Sequence, residues 1–188
     1  MGLYTKPDLE NKLKELKQDS TLTVNESVKK IILDQENVES FDIFLSHSYF
    51  DKKYVLALKL DIESMGLSVY IDWDIDTQLE RSKVTKKTAH VLRKRMKSCK
   101  SLFFAVSENS PNSKWMPWEL GYFDGLGKRV AILPILDNAV NISNYSGQEY
   151  LSLYPFVTKE LITNTKNTFL KIHDQEMGCH TINCWINS

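Results

Sequence analysis

SLFFAVSENSPNSKWMPWELGYFDGLGKRVAILPIL, residues 101–136, carries the reading of the fold. It opens on the apolar run Ser101–Val106 and closes on a second, Val130–Leu136. Neither run alternates with polar residues, so both predict strands covered on two faces. Between them Trp115, Pro117 and Trp118 stand beside Glu119 where a helix starts, and Gly121, Gly125 and Gly127 end it. A strand, a helix and a strand in this order predict a parallel pair joined by a crossover.

The same pattern extends upstream. Phe41–Leu45 predicts a strand that ends in Ser46-His47-Ser48. Asp51 then reads as the N-cap of a helix to Ser64, with Val55, Leu58, Ile62 and Met65 on one face and Gly66 as its stop. Leu67–Ile71 predicts a second strand closing on Asp72-Trp73-Asp74-Ile75-Asp76. A loop to about Lys83 leads into a basic helix, Val84–Cys99, whose buried stripe is Ala89, Leu92, Met96 and Cys99. Its cations, Lys86, Lys87, Arg93, Lys94, Arg95 and Lys97, mostly lie off that stripe and read as a solvated face. Downstream, Tyr150–Val157 around Pro155 is a candidate fifth strand, and residues 158–188 fit no single pattern.

Strands alternating with helices predict an α/β doubly wound parallel sheet. In such sheets ligands bind outside the carboxyl ends of the strands. The rule selects Ser46–Asp51, Asp72–Asp76 and Ser107–Glu119, and so places scattered polar residues on one edge.

The chain of 188 residues is long enough for one domain with a real core. Lys+Arg and Asp+Glu both number 24, so net charge gives no argument for nucleic acid or an anionic membrane. No apolar run has the ~20 residues of a membrane span, and the N-terminus lacks a signal-peptide core. Three cysteines, an odd number, suit a reducing compartment, and a cytoplasmic protein is expected. Residues 1–40 predict two short amphipathic helices, on Leu9, Leu13 and Leu16 and on Val24, Val28 and Ile31. They form an extension that packs on the main domain or on another subunit.

Several chemistries find no motif: no P-loop, no dinucleotide fingerprint and no nucleophile elbow. Cys179, His180 and Cys184, near His173, match no zinc spacing, and no metal site is expected. Glu119 is left, a carboxylate among aromatics. Most glycosidases need two carboxyl groups because the leaving group must be protonated. A base that departs neutral, such as nicotinamide from NAD+, needs no acid. One carboxylate can then hold ribose hydroxyls and oppose the charge of an oxocarbenium-like transition state, a class of effect worth roughly 3–4 kcal/mol. The residues alone equally allow Glu119 to serve only the N-terminus of its helix.

FDIFLSHSYFDKKYVLALKLDIESMGLSVYIDWD and CKSLFFAVSENSPNSKWMPWELGYFDG together resemble the Toll/interleukin-receptor (TIR) family, in its bacterial stand-alone form. The likeness covers residues 41–136 and extends to near 157, with Trp115 and Glu119 at the W-x-x-x-E positions. It implies a flavodoxin-like fold, with domains at 1–40 (helical extension), 41–157 (TIR-like) and 158–188 (a segment completing or packing on the domain). It implies NAD+ glycohydrolase activity with Glu119 catalytic and Trp115 lining the pocket. Ser46 and His47 then contact the nucleotide, while Asp72, Trp73 and Asp74 border the cleft. NAD+ is the substrate, and no cofactor is required. Family members often assemble into homo-oligomers. Those of this size resemble the enzymes of antiphage systems such as Thoeris, whose ADP-ribose, cyclic or adduct product signals to a separate effector.

The loop TQLERSKVTKKT lacks the glycine usual in the family's assembly loop. With Pro117 at the first helical position, Met116 reads as extended and Trp115 as lying just before the helix. Two other functions stay open on these residues: a TIR scaffold that signals by assembly without catalysis, and a nucleoside deoxyribosyltransferase-like enzyme.

Overall fold

Strand β4 (Cys99–Val106) is an interior strand of one sheet, in the computed structural model of the protein. The structure describes residues 2–19, 26, 35, 38–72, 85–138, 149–163, 165 and 167–187. The strands are β1 (Tyr4–Thr5), β2 (Phe41–Ser46), β3 (Val69–Tyr70), β4, β5 (Arg129–Leu136), β6 (Phe156–Leu161), β7 (Thr168–Asp174) and β8 (Gly178–Thr181). Their order is β3-β2-β4-β5-β6-β7-β8, with β1 paired to β5. From β3 to β6 every pairing is parallel, as the crossover pattern requires; β6–β7 and β7–β8 are antiparallel.

Both faces of the sheet are covered, which is why its central strands read as unbroken apolar runs. One face carries α1 (Lys6–Asp19), α2 (Lys52–Glu63) and α5 (Ile182–Asn187). Leu9, Val55, Leu58, Ile62 and Trp185 meet Ile43, Leu45, Phe103, Ala105, Ala131 and Leu133 there. The other face carries α3 (Lys86–Ser98) and α4 (Trp115–Asp124), with Leu92, Met96, Met116, Leu120 and Phe123 on Phe44, Leu102, Phe104, Val130 and Ile132. Successive residues of β4 and β5 thus alternate between two apolar layers.

Element by element the differences from the sequence pattern are small and have local causes. The helix after β2 begins with a 3₁₀ turn, Tyr49–Asp51, and its N-cap Asp51 makes no side-chain cap bond. Gly66 takes φ +84° after α2, the left-handed stop expected of it. The second strand shrinks to Val69–Tyr70, and the side-chain amide of Gln35 bonds the backbone beyond it. Gln35 Oε1 accepts the Ile71 N–H (2.9 Å) and Nε2 donates to its carbonyl (3.1 Å). A side chain therefore occupies the edge where another strand would pair. Helix α3 starts at Lys86 because Thr85 caps it, accepting the Thr88 N–H. Of its predicted stripe Leu92, Met96 and Cys99 are buried, while Ala89 is half-buried. Burial also pushes the Cys99 thiol up to about 12.

The termini hold what periodicity did not reveal. Tyr4–Thr5 is a strand, not part of a helix, pairing with Ile135 and Leu136 of β5. Two residues are too few to show alternation. Thr5 then caps α1, accepting the Asp8 N–H (3.2 Å). The second expected N-terminal helix, on Val24, Val28 and Ile31, lies outside the described residues. The fifth strand is Phe156–Leu161, displaced downstream because Pro155 ends the preceding irregular stretch. Residues 168–181 form a hairpin that extends the sheet. Among the described residues no helix is long and apolar enough to cross a membrane.

Candidate active site

Parallel strands β2 and β4 run side by side, with Ser46 in register with Phe104, and both end on the same edge. Helix α4 leaves that edge and descends over the sheet. Its inward positions are Met116, Glu119, Leu120 and Phe123, the i, i+3, i+4, i+7 stripe of a core-facing helix. A carboxylate thus occupies a position where three apolar residues otherwise stand. Glu119 is 7% exposed, and Ser46 Oγ donates to its Oε2 at 2.6 Å. Hydrogen bonds to an ionised carboxylate are among the strong ones, and a buried carboxylate without them would be costly.

Glu119 lies in the second turn of α4, and no acidic residue stands in the first. Service to the helix N-terminus is therefore not what holds it here, since that effect fades beyond the first turn. Pro117 is the third residue of the helix, where a missing N–H forfeits no intrahelical bond. The expectation that Trp115 precedes the helix is corrected: Trp115 is its first residue, and Trp115 and Glu119 are i, i+4 neighbours. Two contacts override the steric bias that Pro117 imposes on Met116. The Met116 side chain is fully buried, and its N–H donates to Ser113 Oγ at 3.3 Å. Trp115 is half-buried and meets Trp118 edge-on at 5.4 Å; Trp118 in turn stacks on Tyr122 at 5.7 Å.

The loop after β2 is unusually polar for its burial. Ser46, His47, Ser48 and Asp51 are all buried. His47 Nδ1 lies 3.0 Å from the Leu45 carbonyl, so it carries the proton and donates. Ser48 Oγ has no hydrogen-bond partner among the described residues. Asp51 reaches across to the loop after β4. Its Oδ2 accepts from Ser107 Oγ, and its Oδ1 accepts from Asn109 Nδ2 at 2.7 Å. Ser110 completes the knot, accepting the Ser107 N–H (2.7 Å) and donating to the Ala105 carbonyl (3.0 Å). This latch was missed by sequence reasoning, which assigned Asp51 to helix capping. The signal available was the cluster of hydroxyl and amide residues, Ser107, Asn109 and Ser110, directly after a buried strand.

Asp72 is half-buried just past β3, next to the backbone that Gln35 holds. Trp73 and Asp74 lie outside the described residues, as does nearly all of the loop after them. The geometry therefore joins Ser46 to Glu119 directly, keeps His47 on the same loop, and leaves Asp72 on the neighbouring strand end. Among the described residues no group of His, Cys, Asp and Glu is arranged to hold a metal ion. Cys179 Sγ does lie 3.5 Å from His173 Nδ1, in the hairpin β7–β8. A cavity of about 520 Å³ between α1, α2 and β6 is lined by Asp8, Lys12, Asp61 and Lys159 and shares no residue with this edge. The edge at Ser46 and Glu119 is where the buried polar side chains of two loops and a helix meet.

Comparison with known proteins agrees with this architecture. Over 191 aligned residues the chain is 47% identical to a Bacillus cereus (strain MSX-D12) protein named "Probable 3' cyclic ADP-D-ribose synthase ThsB'", covering 99% of this chain and 98% of that one. It is 33% identical over 105 residues to the "Putative cyclic ADP-D-ribose synthase TIR2" of Cytobacillus dafuensis, which covers 55% of this chain and 28% of that protein. Residues 43–159 match the family model described as TIR domain. With a doubly wound sheet, a W-x-x-x-E helix and a family match over most of its length, the chain belongs to the TIR domain family.

Proposed function

We propose that the protein is an NAD+-cleaving enzyme that breaks the nicotinamide–ribose bond and makes a cyclic ADP-ribose. One observation carries the reading: a carboxylate on the buried stripe of α4 is bonded to Ser46 at the end of β2, the edge where doubly wound sheets bind ligands. The full-length likeness to a protein named "Probable 3' cyclic ADP-D-ribose synthase ThsB'" supports the substrate and the product.

In this mechanism Glu119 accepts hydrogen bonds from the nicotinamide-side ribose and opposes the positive charge that grows as nicotinamide departs as a neutral base. No general acid is needed. A hydroxyl of the adenosine ribose, the 3′ one by analogy with the relative's name, then attacks the ribose carbon that nicotinamide has left. It loses its proton to water or to Glu119. NAD+ becomes cyclic ADP-ribose, nicotinamide and a proton. Attack by water instead gives ADP-ribose. Ser46 holds the Glu119 carboxylate, while His47, Asp72 and Trp115 border the nucleotide. Trp73 and Asp74 are assigned to the same cleft on the family pattern alone.

The enzyme works in the cytoplasm as a homo-oligomer, and its product acts on a separate effector protein in antiphage defence. Residues 41–157 form the TIR domain, preceded by the extension 1–40 and followed by the completing segment 158–188. Purified protein incubated with NAD+ should release nicotinamide, with mass spectrometry identifying a cyclic product. Glu119→Gln should lower kcat at least about 100-fold. Equal activity of the two proteins would overturn the assignment, and assembly without turnover at any concentration would favour the scaffold function instead.

A further inference from the structure

We infer that Lys6 is a positioning residue of the Glu119 site, and that helix α1 straps together from behind the two loops that build it; the inference rests on the function proposed above. Strand β1 pairs with the end of β5, at Ile135 and Leu136, and so delivers Lys6 to the carboxyl edge of the sheet. There Lys6 Nζ lies 2.6 Å from Glu108 Oε1 and 2.6 Å from Asp137 Oδ1, tying the loop after β4 to the loop after β5. Glu108 stands between Ser107 and Asn109, the two residues that hold Asp51. One turn along α1, Glu10 accepts from Lys53 Nζ (2.8 Å) and Tyr54 Oη (3.1 Å), in the first turn of α2 directly after Asp51.

These contacts close a ring: Lys6, Glu108, Ser107, Asp51, Lys53, Glu10 and back along the helix to Lys6. The ring reaches the site through the backbone, because the Asp51 N–H donates to the Ser48 carbonyl at 3.0 Å. Single exposed ion pairs contribute little. Lys6 differs in that one ammonium, on a side chain only 14% exposed, is shared by two carboxylates, although these are themselves 61% and 63% exposed. Asp137 first and then Glu108 hold that ammonium well above the usual lysine range, so it stays charged at any pH at which the enzyme would work. Lys6 and Glu10 precede residue 43, where the family match begins, so the strap is an addition to the TIR core.

The test uses the full chain, with steady-state kinetics and amide hydrogen exchange of Lys6→Met, Lys6→Arg, Glu108→Gln and the Lys6→Met/Glu108→Gln double variant. Small displacements at a site cost rate more than binding. Lys6→Met should therefore lower kcat about five- to tenfold with KM within about twofold, and Lys6→Arg should restore most of it. The double variant should be no worse than the poorer single, the signature of one shared interaction. Exchange should quicken about tenfold in residues 46–51 and 107–110, the range of a lost local protection. Wild-type kcat and exchange in Lys6→Met, or additive losses in the double variant, would overturn the inference. So would an equal fall of kcat in Leu13→Ala, which loosens α1 without touching the ring. If wild type releases no nicotinamide, or Glu119→Gln still does, the proposed function fails, and the exchange pattern alone then decides the strap.

Discussion

Ser46 Oγ and Glu119 Oε2 stand 2.6 Å apart, joining the last residue of β2 to the second turn of α4. The bond spans 73 residues of sequence and fixes the carboxylate against the strand edge. Removing the donor leaves a buried carboxylate short of one hydrogen bond, a loss of about 1.5–3 kcal/mol for a charged acceptor. Ser46→Ala should therefore lower Tm and also lower kcat about tenfold, less than Glu119→Gln does. Thermal melts and nicotinamide release in the same preparation check it. A Ser46→Ala enzyme with wild-type Tm and wild-type kcat would show that the bond holds nothing.

Asp51 is the second buried carboxylate of this edge, and it is bonded to Ser107 and Asn109 instead of capping its own helix. Asp51→Ala takes the acceptor from two side chains at once, one of them buried. The buried donor stranded in this way costs about 1–3 kcal/mol, and the half-buried Asn109 amide adds less. Urea unfolding should show a loss of about 2–4 kcal/mol, with m unchanged. A capping aspartate would lose only about 1 kcal/mol and could be replaced by Ser or Thr. Full stability in Asp51→Ser would therefore return Asp51 to the capping role.

Which parts were legible follows from what the sequence encodes locally. Strands β2, β4 and β5 announced themselves because burial on both faces demands unbroken apolar runs. Ser46 and Glu119 fell on one edge because the position of a strand end is a matter of topology. Pairwise bonds between distant loops are another matter. Asp51 reads as a cap from its neighbours alone, and only the three-dimensional approach of Ser107 changes that. Trp115 was misplaced because the proline rule looks one residue back, whereas Met116 is held by Ser113 and by the core. Strand β1 and the Gln35 amide at β3 were invisible for the same reason, since each takes its conformation from a partner far along the chain.

His173 should make stability depend on pH. It stacks on Phe156 at 4.8 Å and its Nε2 lies 2.8 Å from Thr158 Oγ1. Burial first, and the nearby Lys171 ammonium second, lower its pKa below the ordinary value of about 6.5. The unfolded chain then binds a proton more readily than the folded one. Stability contributed by His173 is present above about pH 6.5 and is lost as pH falls through the folded value. Tm should drop between pH 7.5 and 5.5, and the drop should be shallower in His173→Asn. Parallel Tm–pH curves for the two proteins would refute this.

Ser48 sits between the site and the latch with its hydroxyl buried and without a partner among the described residues. The other buried serines of the two loops, Ser46, Ser107 and Ser110, are all bonded. An unpartnered buried hydroxyl costs about 1–3 kcal/mol, and such groups are few in native proteins. Ser48→Ala keeps the packing and deletes the cost, so it should raise Tm by about 2–4 °C for each kcal/mol gained. If the hydroxyl finds its partner when NAD+ binds, the same change should raise KM while stability improves. A lower Tm in Ser48→Ala would mean that the hydroxyl is already satisfied in the free protein, and the case for its use by substrate would end there.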